Sequence, residues 1–207
     1  NAIEVIDGGK LGYQRTNVAL PGLVGGPCLE KDPHILSASA QTKGLNLEIT
    51  DAARLVNERQ PKETATFIHQ EARRRPFPAD ISIAIMGIAF KGVPETDDLR
   101  GAMSLHVINE LRALFPHATF KLFDPVIKAP VLQERFPDCV VSGSIRDVIN
   151  GTHIAVITNN HPRLATWAPN QMIEEMTENA FIYDYWNHFQ RKHKSETSSF
   201  YYAVGNV

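Results

Sequence analysis

Ile81-Ser-Ile-Ala-Ile-Met86, closed by Gly87, is a short apolar run of the kind expected from a strand buried on both faces of a sheet. Downstream, Met103, Val107, Ile108, Leu111 and Leu114 recur at helical spacing. Ala118 to Phe123 reads as a second strand, stopped by Asp124-Pro125. A short helix over Val131 to Phe136, a strand near Cys139 to Val141, and a capped helix start at Ser144-Ile-Arg-Asp147 follow. His153 to Thr158 is another apolar strand, and Met172, Ile173 and Met176 mark a helix ahead of the strand Ala180 to Tyr183. Strands alternating with helices at this spacing predict an α/β fold with a doubly wound parallel sheet. Ligands of such sheets bind beyond the carboxyl ends of the strands, here 87–100, 124–125, 158–161 and 184–187. No G-x-G-x-x-G follows the first strand, so the domain over 76–207 is Rossmann-like without the dinucleotide fingerprint and is expected not to bind NAD in that way.

Residues 1–75 are organised differently. The stretch 8–34 is rich in Gly and Pro and reads as a long ordered loop, while Pro33 to about Thr42 reads as a helix stopped near Gly44. Glu48 to Arg59 is helical in pattern, and Pro61 either starts a new helix or kinks one that continues to Arg75. Such helices have little of their own to pack on. An apolar face containing Ile49, Ala53, Val56 and Phe67 is therefore expected to bury itself against a second copy, making a homodimer. Arg73-Arg74-Arg75 reads as a solvated helix end, and Pro76-Phe-Pro78 joins the two parts.

Composition narrows the function classes. The 207 residues are 43% hydrophobic and 21% charged, as in a globular protein, with a formal charge of −2. That balance argues against a nucleic-acid or membrane-surface binder. Two distant cysteines make no disulfide framework, and no apolar stretch is long enough for a membrane span, so a cytoplasmic location is expected. Asn1 stands where an initiator Met would, so the chain is expected to be a fragment, with Asn1-Ala2 an added pair before native sequence near Ile3.

The densest chemical signal is Leu20-Pro-Gly-Leu-Val-Gly-Gly-Pro-Cys-Leu-Glu-Lys-Asp-Pro33. Gly22, Gly25 and Gly26 allow a close backbone approach, and Cys28 follows them just before a helix start. A cysteine beside a lysine and a helix N-terminus is suited to thiolate nucleophilic chemistry. On composition alone, the commoner role of such a cysteine is a small buried hydrophobe. Asp32 before Pro33 likewise fits an N-cap.

Gly25-Gly26-x-Cys28-x-x-x-Asp32 resembles the cysteine loop of the UDP-glucose/GDP-mannose dehydrogenase family, as do Tyr13-Gln-Arg15 and Pro21-Gly22 upstream. Gly87-Ile-Ala-Phe-Lys91 with Thr96-Asp-Asp-Leu-Arg100 is similar to the head of that family's sugar-nucleotide domain, and Phe123-Asp-Pro125 and Asp184-x-x-Asn187 also fall in place. The resemblance implies oxidation of a nucleotide sugar's C6 alcohol to a carboxylate by NAD, through a cysteine thioester. It implies that Cys28 is the nucleophile and that Asp32 positions or activates water. Arg15, Gly25, Gly26 and Lys91 would contact substrate, while Lys31 and Arg100 would lie near NAD. It implies further that this is a C-terminal portion, that NAD is bound mainly by a missing N-terminal domain, that the fragment alone is inactive, and that the helices over 48–75 form a dimerisation segment. Trp186 stands where several members of the family have an arginine that touches substrate. Asp97 and Asp98 are expected to stabilise their loop, Asp184 and Asn187 equally suit turn residues, and His161 is expected to be a surface or a hydrogen-bonding residue rather than a ligand, with no metal spacing around it. A non-catalytic nucleotide-binding or dimerisation module is the alternative.

Overall fold

A computed structural model describes residues 2–12, 18–189 and 199–205. Helices α1 (Ala2–Lys10), α2 (Asp32–Gln41) and α3 (Glu48–Arg73) come first, followed by β1 (Ser82–Met86) and α4 (Met103–Leu114). Then come β2 (Thr119–Phe123), α5 (Ala129–Arg135), β3 (Val140–Val141), α6 (Ile145–Ile149) and β4 (Ile154–Ile157). The order ends with α7 (Pro169–Glu175), β5 (Phe181–Asp184) and β6 (Tyr201–Ala203). All strand pairings are parallel and the order is β3-β2-β1-β4-β5-β6, so the winding reverses between β1 and β4.

The opening run explains this centre. In β1, Ile83 and Ile85 pack into a core shared with Ala65 and Ile68 of α3 and with Val107, Ile108 and Leu111 of α4. The alternate residues Ala84 and Met86 pack on the other face with Val148 and Ile149 of α6 and Met172 of α7. Period-two alternation with apolar residues on both faces makes a central parallel strand, flanked here by β2 in register Ile83↔Phe120 and by β4 in register Ile83↔Ile154. Ser144 caps α6 as its pattern implies, accepting a hydrogen bond from the Asp147 N–H.

Four details differ from the sequence reading. Helix α1 runs through Lys10 into the stretch read as loop, and β6 extends the sheet beyond Tyr183. Helix α3 continues without interruption through Pro61. Its buried stripe is Arg54, Asn57, Pro61, Thr64, Ala65, Ile68, Glu71 and Ala72, half of them polar, so apolar periodicity points to another face in the N-terminal half. Ile49, Ala53 and Val56 are exposed, but Phe67 does not share their fate. It packs on this chain's own Tyr183 and Tyr202, with ring centroids 5.8 and 5.2 Å away, because α3 has crossed onto the sheet by that turn.

Arg75, read as a solvated helix end, fastens α3 to the sheet edge. Its guanidinium donates to the carbonyls of Asn179 (2.7 Å) and Ser199 (2.9 Å) and to the Tyr202 hydroxyl (3.2 Å), and lies 4.8 Å from the Phe181 ring centre. The Tyr202 hydroxyl in turn donates to Glu71, whose carboxylate also pairs with Arg74. A planar fork serving several acceptors at once cannot be replaced by a shorter side chain without stranding them. Arg75→Ala is expected to cost about 3 kcal/mol of unfolding free energy, read as a lower urea midpoint at unchanged slope. A loss below about 0.5 kcal/mol, the range of an ordinary surface substitution, would refute the fastening role.

Candidate active site

Three strand ends build the floor of the site. After β1, the backbone turns at Gly87 and two N–H groups, those of Ile88 and Ala89, donate to one carboxylate oxygen of buried Asp124 at 2.7 and 2.9 Å. The other Asp124 oxygen accepts the N–H groups of Val126 and Ile127 at 2.8 and 2.9 Å. After β4, the Thr158 hydroxyl donates to the Gly87 carbonyl, Asn159 donates to the Ala89 carbonyl, and the Asn160 side-chain oxygen accepts the N–H groups of Gly92 and Val93. After β5, Trp186 donates its indole N–H to the Thr158 carbonyl at 3.1 Å and its backbone N–H to Asp184 at 2.8 Å.

The cysteine loop forms the roof. The Gly26 N–H donates to the Gly101 carbonyl at 2.8 Å, and the Cys28 carbonyl accepts from the N–H groups of Lys31 and Asp32. A Cβ on Gly25 would sit 2.4 Å from the Gly101 carbonyl oxygen, and one on Gly26 (φ 103°) would sit 2.7 Å from the Phe90 ring. The close approach these glycines permit is therefore to the protein's own backbone and ring. Both also face the cleft. On the far side, Asn57 of α3 clamps Val24: the Val24 N–H donates to its side-chain oxygen at 2.9 Å, and its amide nitrogen donates to the Val24 carbonyl at 2.7 Å.

Roof and floor enclose a cleft of about 460 Å³ at the switch point between β1 and β4. Gly25, Gly26 and Cys28 line it from above, with Phe90, Lys91, Asn160 and Trp186 from below. Of the residues expected to act, the fold thus brings Gly25, Gly26, Cys28 and Lys91 together. Cys28 is exposed. Among the described residues no carboxylate pairs with the Lys91 ammonium, which rests 5.0 Å from the Phe90 ring centre.

Lys31, Asp32 and Arg100 flank the cleft without lining it. Lys31 pairs with Asp32, and Arg100 pairs with Asp98 at 2.8 Å. These partners raise both cations above their ordinary values, with a smaller contribution from Cys28 to each. The Arg100 guanidinium, in turn, holds the Asp98 carboxyl below its usual range. Asp32, suited by sequence to the N-cap, is instead the first helical residue after Lys31, because its carboxylate turns to the Lys31 ammonium. Arg15 lies outside the described residues.

The remaining polar candidates serve the scaffold. Asp184 is fully buried and accepts hydrogen bonds from the Tyr201 hydroxyl and the N–H groups of Trp186 and His188. His161, expected at the surface or hydrogen-bonded, is buried and hydrogen-bonded: it accepts the Arg163 N–H and meets Glu95 at 3.1 Å. The sequence reading did not single out Asn57 or Asn160. Nothing local in the helical pattern shows that Asn57 faces inward, and Asn160 falls within the strand-end stretch 158–161 without being named in it.

An acid at the end of β2 is where dinucleotide-binding sheets read the ribose. Asp124 holds that place, but its two oxygens already take four backbone N–H groups. With no glycine fingerprint after β1, this sheet does not fit NAD in the usual dinucleotide mode.

A doubly wound α/β sheet whose switch-point cleft is roofed by a cysteine loop defines the class. The chain belongs to the UDP-glucose/GDP-mannose dehydrogenase family: residues 84–191 match that family's UDP binding domain and residues 1–59 its central domain. It is similar to the UDP-N-acetyl-D-mannosamine dehydrogenase of Pyrococcus horikoshii, 28% identical over 152 residues, which is 72% of this chain and 32% of the relative. It is also similar to the UDP-glucose 6-dehydrogenase of Haloferax volcanii, 30% identical over 142 residues, 68% of this chain and 31% of the relative. The chain thus spans about a third of the length of these curated relatives. Among solved structures, the UDP-D-ManNAc dehydrogenase from Pyrococcus horikoshii superposes with a TM-score of 0.71 at 25% identity, covering 99% of this chain and 43% of that one. The NDP-N-acetyl-D-galactosaminuronic acid dehydrogenase from Methanosarcina mazei shares the fold, with a TM-score of 0.78 at 21% identity, covering 100% and 44%.

The two thiols differ in environment. Burial pushes the Cys139 thiol up, with Arg112 beside it offsetting part of the effect, whereas Cys28 is exposed at the cleft. Iodoacetamide at pH 8 is expected to alkylate Cys28 in the folded protein and to reach Cys139 only after denaturation, as read by peptide mass spectrometry. Equal labelling of both in the native state would contradict this placement of the cysteine loop.

Proposed function

We propose that this chain is the cysteine-bearing and sugar-nucleotide-binding part of an NAD-dependent nucleotide-sugar 6-dehydrogenase. The observation that carries the reading is the shared cleft at the switch point, which is lined by Cys28 from the roof and by Lys91, a cation with no carboxylate partner among the described residues, from the floor. A pyrophosphate needs a cation and a sugar carbon undergoing oxidation needs a nucleophile, and one cleft offers both.

In this reading Lys91 holds the diphosphate, and the backbone at Gly25 and Gly26 fits the sugar beneath Cys28, with Arg15 reaching substrate as well. NAD supplies the oxidising power, taking up hydride at the alcohol and again at the aldehyde level. The Cys28 thiolate adds to the aldehyde-level carbon, which retains the substrate covalently between the two oxidations. After the second hydride leaves, the acyl group is a thioester on Cys28. Water assisted by Asp32 then attacks the acyl carbon, the carbon–sulfur bond breaks, and the acid departs. Lys31 and Arg100, ion-paired beside the cleft, would border the cofactor. Because this sheet lacks the dinucleotide fit, NAD would be held mainly by protein outside these residues, and the isolated chain would be inactive.

The test uses the complete enzyme with Cys28→Ser. Acid formation from a UDP-hexose should fall at least a thousandfold while calorimetry still detects UDP, since a serine hydroxyl is a far weaker nucleophile at neutral pH. Near-normal acid production would remove the thioester role.

Assembly forms part of the same proposal. Ile49 (88% exposed), Ala53 and Val56 (61% exposed) share one face of α3, and leaving such a face in water is costly. We expect it to be covered by a second copy across residues 48–56. Light scattering should give twice the chain mass, and Val56→Glu should shift it toward the monomer; a strict monomer across a wide concentration range would disprove the pairing.

A further inference from the structure

The cysteine loop has no regular secondary structure of its own around Val24–Cys28, yet its thiol must meet a substrate carbon with little latitude. Two attachments set its path. One is the Gly26 N–H to the Gly101 carbonyl, which ties it to the segment leaving β1. The other is Asn57 of α3, a buried amide that pairs both the N–H and the C=O of Val24, four residues before Cys28. The amide stands in for a neighbouring strand: one donor and one acceptor meet the backbone as a single rung of an antiparallel ladder would. Its nitrogen also reaches the Met103 sulfur at 3.9 Å, so the clamp bears on the first turn of α4 as well.

We infer that Asn57 is a positioning residue for Cys28, fixing the thiol above the cleft floor by clamping Val24 to α3. The inference rests on the reading of Cys28 as the nucleophile. No other amide-bearing side chain could take the place without changing reach. Glutamine is one methylene too long for the packed stripe between Arg54 and Pro61, and aspartate has no donor for the Val24 carbonyl. The geometry also links two regions. Asn57 follows directly on Leu55 and Val56, which are exposed on α3, so whatever covers that face sits beside the side chain that holds the cysteine loop.

Asn57→Leu and Asn57→Asp separate positioning from plain stability. In the complete enzyme, kcat for acid formation should drop at least tenfold in both variants while the Kd for UDP alone stays within about twofold, because Lys91 and the floor, which hold the diphosphate, remain. In this chain, amide hydrogen exchange over 24–28 should accelerate at least tenfold with exchange in β1 and β4 unchanged. A merely structural role predicts instead a lowered melting temperature with uniformly faster exchange and no selective loss of kcat. Full kcat in a folded variant, or unchanged exchange over 24–28, would overturn the inference. If Asn57→Leu does not fold, the near-isosteric Asn57→Asp decides. Failure of the functional reading shows itself differently, as no acid formed by the wild-type enzyme. The exchange comparison then still decides whether Asn57 holds the loop.

Discussion

At the carboxyl end of β2, the two oxygens of buried Asp124 accept four backbone N–H groups, two from the loop leaving β1 and two from its own turn. A charged group out of water is tolerable only when it is so completely satisfied, and the backbone donors need an acceptor as much as the carboxylate needs donors. The direction of the chain after Met86 follows from this contact. That direction carries Phe90 under Gly26 and Lys91 to the cleft floor. Further along the same segment, Gly101 offers its carbonyl to the Gly26 N–H, so the cysteine loop is laid on a track that Asp124 begins.

The same carboxylate divides this sheet from a dinucleotide-binding sheet of the same strand order. There the acid at this place reads a ribose; here it is spent on the backbone, and the loop after β1 runs forward as a floor instead of turning tightly into a helix. With the same topology, the cleft at the switch point is lined instead by a lysine, an indole ring and a cysteine loop. Trp186 illustrates the consequence. Both of its N–H groups bond to protein, to Thr158 and Asp184, so it meets the cleft with ring surface alone.

Helix α3 holds the two halves of the chain in register. Its C-terminal half is core, with Ile68 and Ala65 against the sheet and Arg75 just beyond fastening β5 and β6. Toward its N-terminal half it carries Asn57 inward to the cysteine loop and Ile49, Leu55 and Val56 outward. One continuous helix thus connects the sheet, the cysteine loop and the outward face.

Much was legible in the chain itself. Alternation on both faces of Ile81–Met86 and the helical spacing from Met103 to Leu111 determine a parallel α/β sheet, because periods of 2 and 3.6 are properties of the backbone. The Lys91 segment was legible as the stretch beyond a strand end, whereas the glycine–cysteine loop was singled out by its resemblance to the family, since composition alone favoured a buried cysteine. Only the tertiary structure decided which face of α3 is buried, since half of its inward stripe is polar and held by partners such as Val24 and Tyr202, remote in sequence. Only it separated Lys91, with no carboxylate partner among the described residues, from Lys31 and Arg100, which are ion-paired beside the cleft. Ion pairing and burial depend on what folding brings near, and no spacing within a segment encodes that.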